Sequence, residues 1–414
     1  MVRTGTYAAI DIGTTKVCTI VGEVGGAGET RILGVGVSPS AGLSKGMVDN
    51  IREATDAIRA SVEKAERASG TRILSAYVGL SGAHVQSVNN RGIVAVPDRS
   101  RPISQDDINR ALDGAKIISI PTNREILHVL PRYYIVDGQD SVSDPLGMYG
   151  QRLDVDAHII TVASSAIANV TKVVEAAGVQ VDELVLQSLA CAESVLSPEE
   201  KRQGVVIADI GGGCTDLSVF VEGSIVHTAT LPIGGNHITR DLVVGLRCPY
   251  HSAEEAKHVY GHCLPSSVPA GDTVEIEAFG AERRRSFPRR QVCEIIQARS
   301  EEILELIVKE VSKATELELV SAGLVLTGAS ARLPGLDLLA EQVTLLPARI
   351  GTPVHIFGLV DELHDPAYAA SVGLLQWAVG AGELSPAIRL VPGSSAFDGL
   401  FRRVGNWFRV LLPE

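Results

Sequence analysis

The stretch Tyr7-Ala-Ala-Ile-Asp-Ile-Gly-Thr-Thr-Lys-Val returns in the second half of the chain as Val206-Ile-Ala-Asp-Ile-Gly-Gly-Gly-Cys-Thr-Asp-Leu. Self-similarity of this kind marks a duplicated folding unit. Each copy runs from apolar residues to an Asp, through a Gly/Thr turn, and into a second apolar run, Val17 to Val24 after the first and Leu217 to Val221 after the second. Two runs of β-forming residues joined by a glycine-bearing turn predict a β-hairpin with a polar tip. The chain is therefore expected to build two related lobes. Its 414 residues, 45% of them hydrophobic, suffice for a separate core in each.

Helical patterns alternate with these strands, at Val48 to Ser69 before Gly70, at Ala166 to Ala177 before Gly178, and at Val292 to Leu319, where apolar residues recur at i, i+3 and i+4. The fold class is α/β. Between His84 and Ile160 the pattern changes to a strand (Gln86 to Val96), a helix capped by Ser104 with Asp106 and Asp107 in its first turn, and strands Glu125 to Val136 and Leu153 to Val162. That order predicts a small inserted β-α-β-β subdomain. A second inserted region carries the basic run Ala281-Glu-Arg-Arg-Arg-Ser-Phe-Pro-Arg-Arg, readable as a solvated loop or, from Arg283 to Arg290, as a contact for an acidic partner. Residues 380–396 are rich in Gly, Pro, Ser and Ala without periodicity and read as a flexible tether.

Charge and cysteines narrow the function classes. A net charge of -12 without long acidic runs argues against nucleic acid as a partner, since a phosphate backbone needs a dominant basic field. The six cysteines (18, 191, 214, 248, 263 and 293) form no C-x-x-C pair and follow no secretion signal, so neither a disulfide framework nor a zinc site is expected, and the reducing cytoplasm is. No window approaches the roughly 20 apolar residues that span a bilayer.

The hairpin tips carry the chemistry. A polyphosphate is held by main-chain N–H groups at a glycine-rich turn, with carboxylates nearby for a hydrated divalent cation. Asp11, Gly13, Thr14, Thr15 and Lys16 form the first tip, and Asp209, Gly211, Gly212, Gly213, Cys214, Thr215 and Asp216 the second. One such turn alone is also an ordinary hairpin turn without a ligand. The matched pair, with matching strands, resembles the superfamily of actin, heat-shock chaperones and sugar kinases. That resemblance implies an actin-like two-lobed fold with a duplicated ATPase core, ATP as ligand, and Mg held through water by Asp11 and Asp209. It also implies roles for further positions. Gly323-Leu-Val-Leu-Thr-Gly-Ala-Ser-Ala-Arg-Leu-Pro-Gly is similar to the loop that closes on the adenosine, which nominates Gly328, Ala329 and Ser330. The turn at 234–236 adds Gly235 and Asn236. Ala253-Glu-Glu-Ala-Lys resembles the helix that meets the purine and ribose, nominating Glu254 and Lys257, although a solvated helix face reads equally well. Leu186-Gln-Ser-Leu-Ala places Gln187 where the family sets a water-orienting residue. Two departures stand out: Cys214 replaces the usual Thr, and Ala329 replaces a second Gly. A hydroxyl contact is lost and a methyl group crowds the adenine, so binding with weak or no ATPase activity is expected.

Within the superfamily, the insert and the tail point to one branch. No acidic motif after the first hairpin offers the base that a sugar kinase needs, and the β-rich domain of a chaperone is absent. The cell-shape actin MreB lacks a β-α-β-β insert, whereas FtsA-like bacterial cell-division proteins place one here. Near the C-terminus, Phe397, Leu400, Phe401, Val404, Trp407, Phe408 and Leu411 recur at helical spacing, while Arg402, Arg403 and Arg409 fall on the other side. This predicts an amphipathic helix, too short and too charged to span a bilayer, lying in the headgroup region with its arginines toward anionic lipid. The other reading is a helix docked on the protein's own core or on a partner. FtsA-like proteins end in an anchor of this kind.

The resemblance implies a cell-division protein that polymerises and tethers filaments of FtsZ to the cytoplasmic face of the inner membrane at midcell, as a peripheral protein. Its expected partners are the FtsZ C-terminal peptide, further copies of itself, anionic inner-membrane lipids and other division proteins. The expected division is a first lobe at 1–83, the insert at 84–162, the first lobe continued with its connecting helix at 163–195, and the second lobe at 196–236. A second inserted subdomain on the FtsZ-peptide side at 237–300 precedes the adenosine loop at 301–356. A return to the first lobe at 357–379, the tether at 380–396 and the anchor at 397–411 complete it. A pilus-assembly relative of the same actin-like group, or a sugar-kinase-type phosphotransferase, are the alternatives.

Overall fold

The computed structural model describes residues 5–24, 30–97, 100–280, 284–359 and 361–380. The duplication read from sequence is built into two sheets of the same plan. In the first lobe, Gly5–Ile12, Lys16–Val24 and Thr30–Pro39 form an antiparallel meander, and Ser75–Leu80 lies parallel on the other side of Gly5–Ile12. In the second, Val205–Ile210, Thr215–Val221 and Ser224–Leu231 form the meander, and Gly323–Thr327 is the parallel neighbour. Asp11 and Asp209 occupy the same place, one residue before the end of the first strand, where they pair with Cys18 and Asp216 respectively. Burial on both faces explains why these strands read as nearly continuous apolar runs. Ala9, Ile10 and Ile20 in one lobe, and Ile207, Ala208 and Leu217 in the other, are fully buried.

Helices cover the sheets. The predicted helix from Val48 begins at Ile51 instead, because the Asn50 side chain caps it by accepting from the Arg52 and Glu53 amides. It ends at Ser69 with Gly70 in the left-handed region (φ 68°). The predicted helix from Val292 to Leu319 runs instead over Arg289–Val311, and Leu317–Leu319 is a separate 3-10 turn. Ala314 N–H donating back to Val311 tightens the chain there and breaks the repeat.

The insert forms its own four-stranded sheet, in the order Gln86–Ala95, Arg152–Ala163, Arg124–Val136 and Gln139–Val142. The last strand was not expected. Asp137 and Gly138 both take positive φ (49° and 89°), the turn geometry that Asp-Gly favours between two strands, and so fold Arg124–Val136 back into a hairpin. Ser104 and Asp107 cap the covering helix Gln105–Ala115 reciprocally. That helix presses onto Gly92, where a Cβ would lie 1.9 Å from the Ala111 carbonyl oxygen. Gly92→Val is therefore expected to lift the helix off its sheet and lower the melting temperature of the insert, read by hydrogen exchange of Ala111 and Leu112, while the two lobes keep theirs.

The insert touches the second lobe as well as the first. Ser87 Oγ donates to Thr228 O at 2.9 Å, Asn89 Nδ2 to Val226 O at 3.1 Å, and Ser224 Oγ to Arg132 O at 2.6 Å. Chain returns tie the first lobe together: Ile356–Gly358 pairs with Thr30–Pro39, and Ala369–Gly380 packs beside Gln187–Val195. All six cysteines are buried and free. No helix among the described residues is long and apolar enough to cross a membrane. Gly380, read as the start of the tether, instead ends the helix Ala369–Gly380; the rest of the tether and the terminal amphipathic segment, from Phe397 to Leu411, lie outside the described residues.

Candidate functional site

The two hairpin tips meet at the seam between the lobes. Each turn is closed by the same bond: Gly13 N–H donates to Lys16 O at 3.0 Å, and Gly211 N–H to Cys214 O at 2.9 Å. The tips interdigitate. A Cβ at Gly212 would stand 2.2 Å from Thr15 Oγ1, and one at Gly213 2.8 Å from Thr14 Oγ1. Glycine at both positions is what lets the threonine hydroxyls of one lobe reach the backbone of the other. The helix Gly235–Leu246 starts against the second tip, with the Gly235 and Asn236 N–H groups donating to the Gly211 and Gly212 carbonyls at 2.9 and 2.8 Å.

Between the tips lies a cavity of about 400 Å³. Every residue nominated for a nucleotide borders it except Thr215. Thr215 is fully buried and its hydroxyl donates to Ile233 O at 2.8 Å, because it is the first residue of a strand and alternation turns its side chain into the sheet. It closes the second meander and does not face the cavity. Thr215→Val is expected to cost about 1 kcal/mol of stability in chemical denaturation and to leave nucleotide affinity unchanged.

Three buried carboxylates face this space. Asp11 accepts from Gln187 Nε2 and from Ser371 Oγ, each at 2.7 Å. Asp216 accepts from Ser81 Oγ at 2.6 Å and Thr230 Oγ1 at 2.5 Å. Among the described residues Asp209 has only the weak Cys191 thiol donor, at 3.4 Å. Burial raises the pKa of all three, that of Asp216 to about 6. Asp209 goes to about 7, by burial first and then by the charges of Asp216 and Asp11. The charge of Lys16 opposes the rise at Asp11 and Asp209 but does not outweigh burial. Among the described residues no group of three or more His, Cys, Asp or Glu side chains is placed to hold a metal ion directly.

The positive charges at the site are already engaged. Lys16 Nζ donates to Ala367 O at 2.7 Å and sits 3.2 Å from the centroid of the Tyr368 ring. Burial lowers its pKa. Lys16 thus borders the cavity but holds the returning chain at Pro366–Tyr368. Lys257 is 7% exposed and contacts Thr239 Oγ1 at 2.9 Å and the Glu254 carboxylate at 2.8 Å, so this helix face is not a solvated one. Burial opposes ionisation of Glu254, but donors from His258, Lys257 and Thr239 bring its pKa to about 2.

Gly328 takes φ 87° and ψ 171°, and a Cβ there would lie 2.2 Å from Asp209 Oδ1. Gly328 also borders the cavity. Ala329 and Ser330 follow it along the wall, and Ser330 Oγ donates to Gly211 O at 3.2 Å. Sequence reasoning missed Ser81, Gly46, Arg332, Tyr368 and Ser371. Arg332 lay within the recognised loop and was available to it, but the others belong to no local motif. In the basic run, Arg289 donates to Tyr260 O at 2.9 Å and Arg290 to Val268 O at 2.8 Å, so two of its charges hold the second subdomain together.

Comparison with known proteins agrees with this architecture. A family model described as Cell division protein FtsA matches residues 206–373, and one described as the SHS2 domain inserted in FTSA matches 82–161. A model for the ethanolamine utilisation protein EutA matches 156–252. Cell division protein FtsA of Pseudomonas aeruginosa is 40% identical over 370 residues, covering 89% of this chain and 88% of that one. The protein of the same name from Neisseria meningitidis serogroup B is 38% identical over 403 residues, covering 97% of each. Among solved structures, a chain of the PilM-PilN type IV pilus biogenesis complex superposes with a TM-score of 0.63 at 17% identity, covering 92% of this chain and 99% of that one. MreB5 of Spiroplasma citri bound to ADP gives 0.57 at 14%, covering 92% and 99%. At these identities the structures speak for an actin-like fold, while the sequence relatives, at 38–40% identity over most of both chains, carry the assignment. The chain belongs to the FtsA family of cell-division proteins.

Proposed function

We propose that the protein binds ATP with Mg in the cavity between its lobes and uses that complex to stabilise an actin-like filament that tethers FtsZ to the cytoplasmic face of the inner membrane. The observation that carries the nucleotide part is the apposition of two glycine turns from two lobes with three buried, mutually repelling carboxylates. In this reading a polyphosphate accepts from the turn amides, and its hydrated Mg adds positive charge beside Asp11, Asp209 and Asp216. Gln187, whose Nε2 donates to Asp11, is the residue assigned to orient a water in this reading. The solved relative of MreB type bound to ADP supports a nucleotide in this fold.

Membrane attachment is assigned to residues 397–411, whose apolar and basic residues separate at helical spacing. Each arginine near an anionic surface contributes on the order of 1 kcal/mol, so one anchor binds reversibly and a filament of them binds firmly. The second inserted subdomain, at 237–300, is assigned to the C-terminal peptide of FtsZ, and the insert to contacts along the filament and with other division proteins. Sedimentation with anionic liposomes, with and without ATP and Mg, tests both halves. The full chain is expected to pellet, more completely with nucleotide, and a chain truncated after Ala396 to stay in solution. Equal pelleting of both forms would overturn the anchor, and no effect of nucleotide would overturn the coupling.

A further inference from the structure

The helix Ala369–Gly380 is the last described element, and Gln376 Nε2 near its end donates to Val354 O at 2.8 Å. The C-terminal segment therefore starts out beside the strand Ile356–Gly358. Among the described residues that strand is the edge of the six-stranded sheet, paired only with Thr30–Pro39. Around it Val354, Phe357 and Leu359 are 41%, 53% and 60% exposed, while Ile356 between them is buried. Asp361 and Glu362 follow and are exposed. Arg31 pairs with Phe357 across the edge but is itself opposite Glu23, so the rim is net acidic.

The segment 397–411 has the complementary chemistry: an apolar side rich in Phe, Leu and Trp, and a basic side formed by Arg402, Arg403 and Arg409. We propose that, away from a membrane, this segment docks in cis on the Val354, Phe357 and Leu359 face with its arginines toward Asp361 and Glu362. Lipid and the protein's own sheet edge then compete for the same apolar surface. A coil of 16 residues, the length of the intervening 381–396, has a root-mean-square reach of roughly 20 Å, enough to return to a site beside its origin. Tethering gives an effective concentration on the order of millimolar, so a weak contact suffices to hold the segment, and a filament's many anchors suffice to free it. The proposal rests on the amphipathic pattern of the tail, not on its lipid binding.

Fluorescence quenching tests it. The chain has two tryptophans, and Trp377 is 5% exposed, so acrylamide quenching of the full chain, with W407F as the blank, reports on Trp407. In lipid-free buffer Trp407 is expected to be shielded, with F357S/L359S raising its quenching constant about twofold or more and D361K/E362K raising it part of the way. The F357S/L359S protein should also bind phosphatidylglycerol vesicles several-fold more tightly. These positions are exposed, so an unchanged melting temperature verifies that both variants fold. Trp407 quenched equally in the parent and both variants overturns the docking. Shielding that is lost on dilution also overturns it, in favour of a second copy as the occupant. Shielding released by the variants, with no vesicle binding by any form, leaves the docking standing and removes the membrane reading instead.

Discussion

Gly328→Ala is expected to lower nucleotide affinity by about 100-fold and to destabilise the second lobe by about 2 to 4 kcal/mol. Two separate effects add. The backbone at φ 87° and ψ 171° is a region that only glycine enters without strain. The new methyl group would also stand 2.2 Å from Asp209 Oδ1 and 2.7 Å from the Ile210 carbonyl oxygen. Asp209 has nowhere to retreat, because it is buried and its strand is paired on both sides. Gly178→Ala separates strain from crowding. Its φ is 96°, but a Cβ there meets nothing within 4 Å. It should cost about 1 kcal/mol and leave affinity alone. Calorimetric titration of both variants with ATP and Mg, beside urea unfolding, measures the two effects. Equal affinity of Gly328→Ala and the parent would mean that Asp209 does not serve the ligand.

Asp209→Asn is expected to produce a protein that is more stable without nucleotide and yet binds it poorly. In the unfolded chain this carboxyl titrates at its ordinary 3.8, and in the folded protein at about 7. Below about pH 4 both states hold the proton and the group does not affect stability. Between about 4 and 7 the unfolded chain releases its proton while the folded protein keeps it, so folded-state stability falls as pH rises through this window. Above 7 the loss is complete, on the order of 4 kcal/mol from one pKa unit being 1.36 kcal/mol. Asp216, raised to about 6, adds a loss of the same sign ending one unit lower. Asn cannot ionise, so the variant should melt higher than the parent at pH 8, with the two curves converging toward pH 4. Addition of Mg and ATP should reverse the order at pH 8, since the cation favours ionised carboxylates and stabilises only the parent. A parent whose melting temperature is level from pH 4 to 8 without ligand would show that the carboxylates are screened.

These two outcomes separate a ligand site from a structural one. Thr215 and Asp216 are neighbours in sequence and both buried, yet one hydroxyl supports the sheet while one carboxylate faces the cavity. Alternation along a strand decides which is which. Only the register of Thr215–Val221 against Val205–Ile210 fixes that alternation.

The two lobes, the hairpins and the positions of Asp11 and Asp209 were legible in the sequence because each is a local pattern. An apolar run ending in Asp and Gly needs no distant residue to be recognised. The same holds for the cap at Ser104. Partners across the fold were not legible. Ser371 reaches Asp11, Ser81 reaches Asp216, and Lys16 rests on Tyr368 only after the chain has returned to the first lobe. The extra strand at Gln139–Val142 was also missed, although Asp137-Gly138 signalled its turn.

The sequence by itself determined the duplicated plan and the kind of groups at each tip, since strand formation, turn chemistry and burial depend on neighbours a few residues apart. The tertiary structure decided how those groups act. It brought three buried carboxylates to the wall of one cavity, left Asp209 with a single weak donor among the described residues, turned Thr215 inward and engaged the ammonium of Lys16. Those outcomes depend on distance and dielectric between residues far apart in the chain, and neither is defined until both lobes have closed around the same cavity.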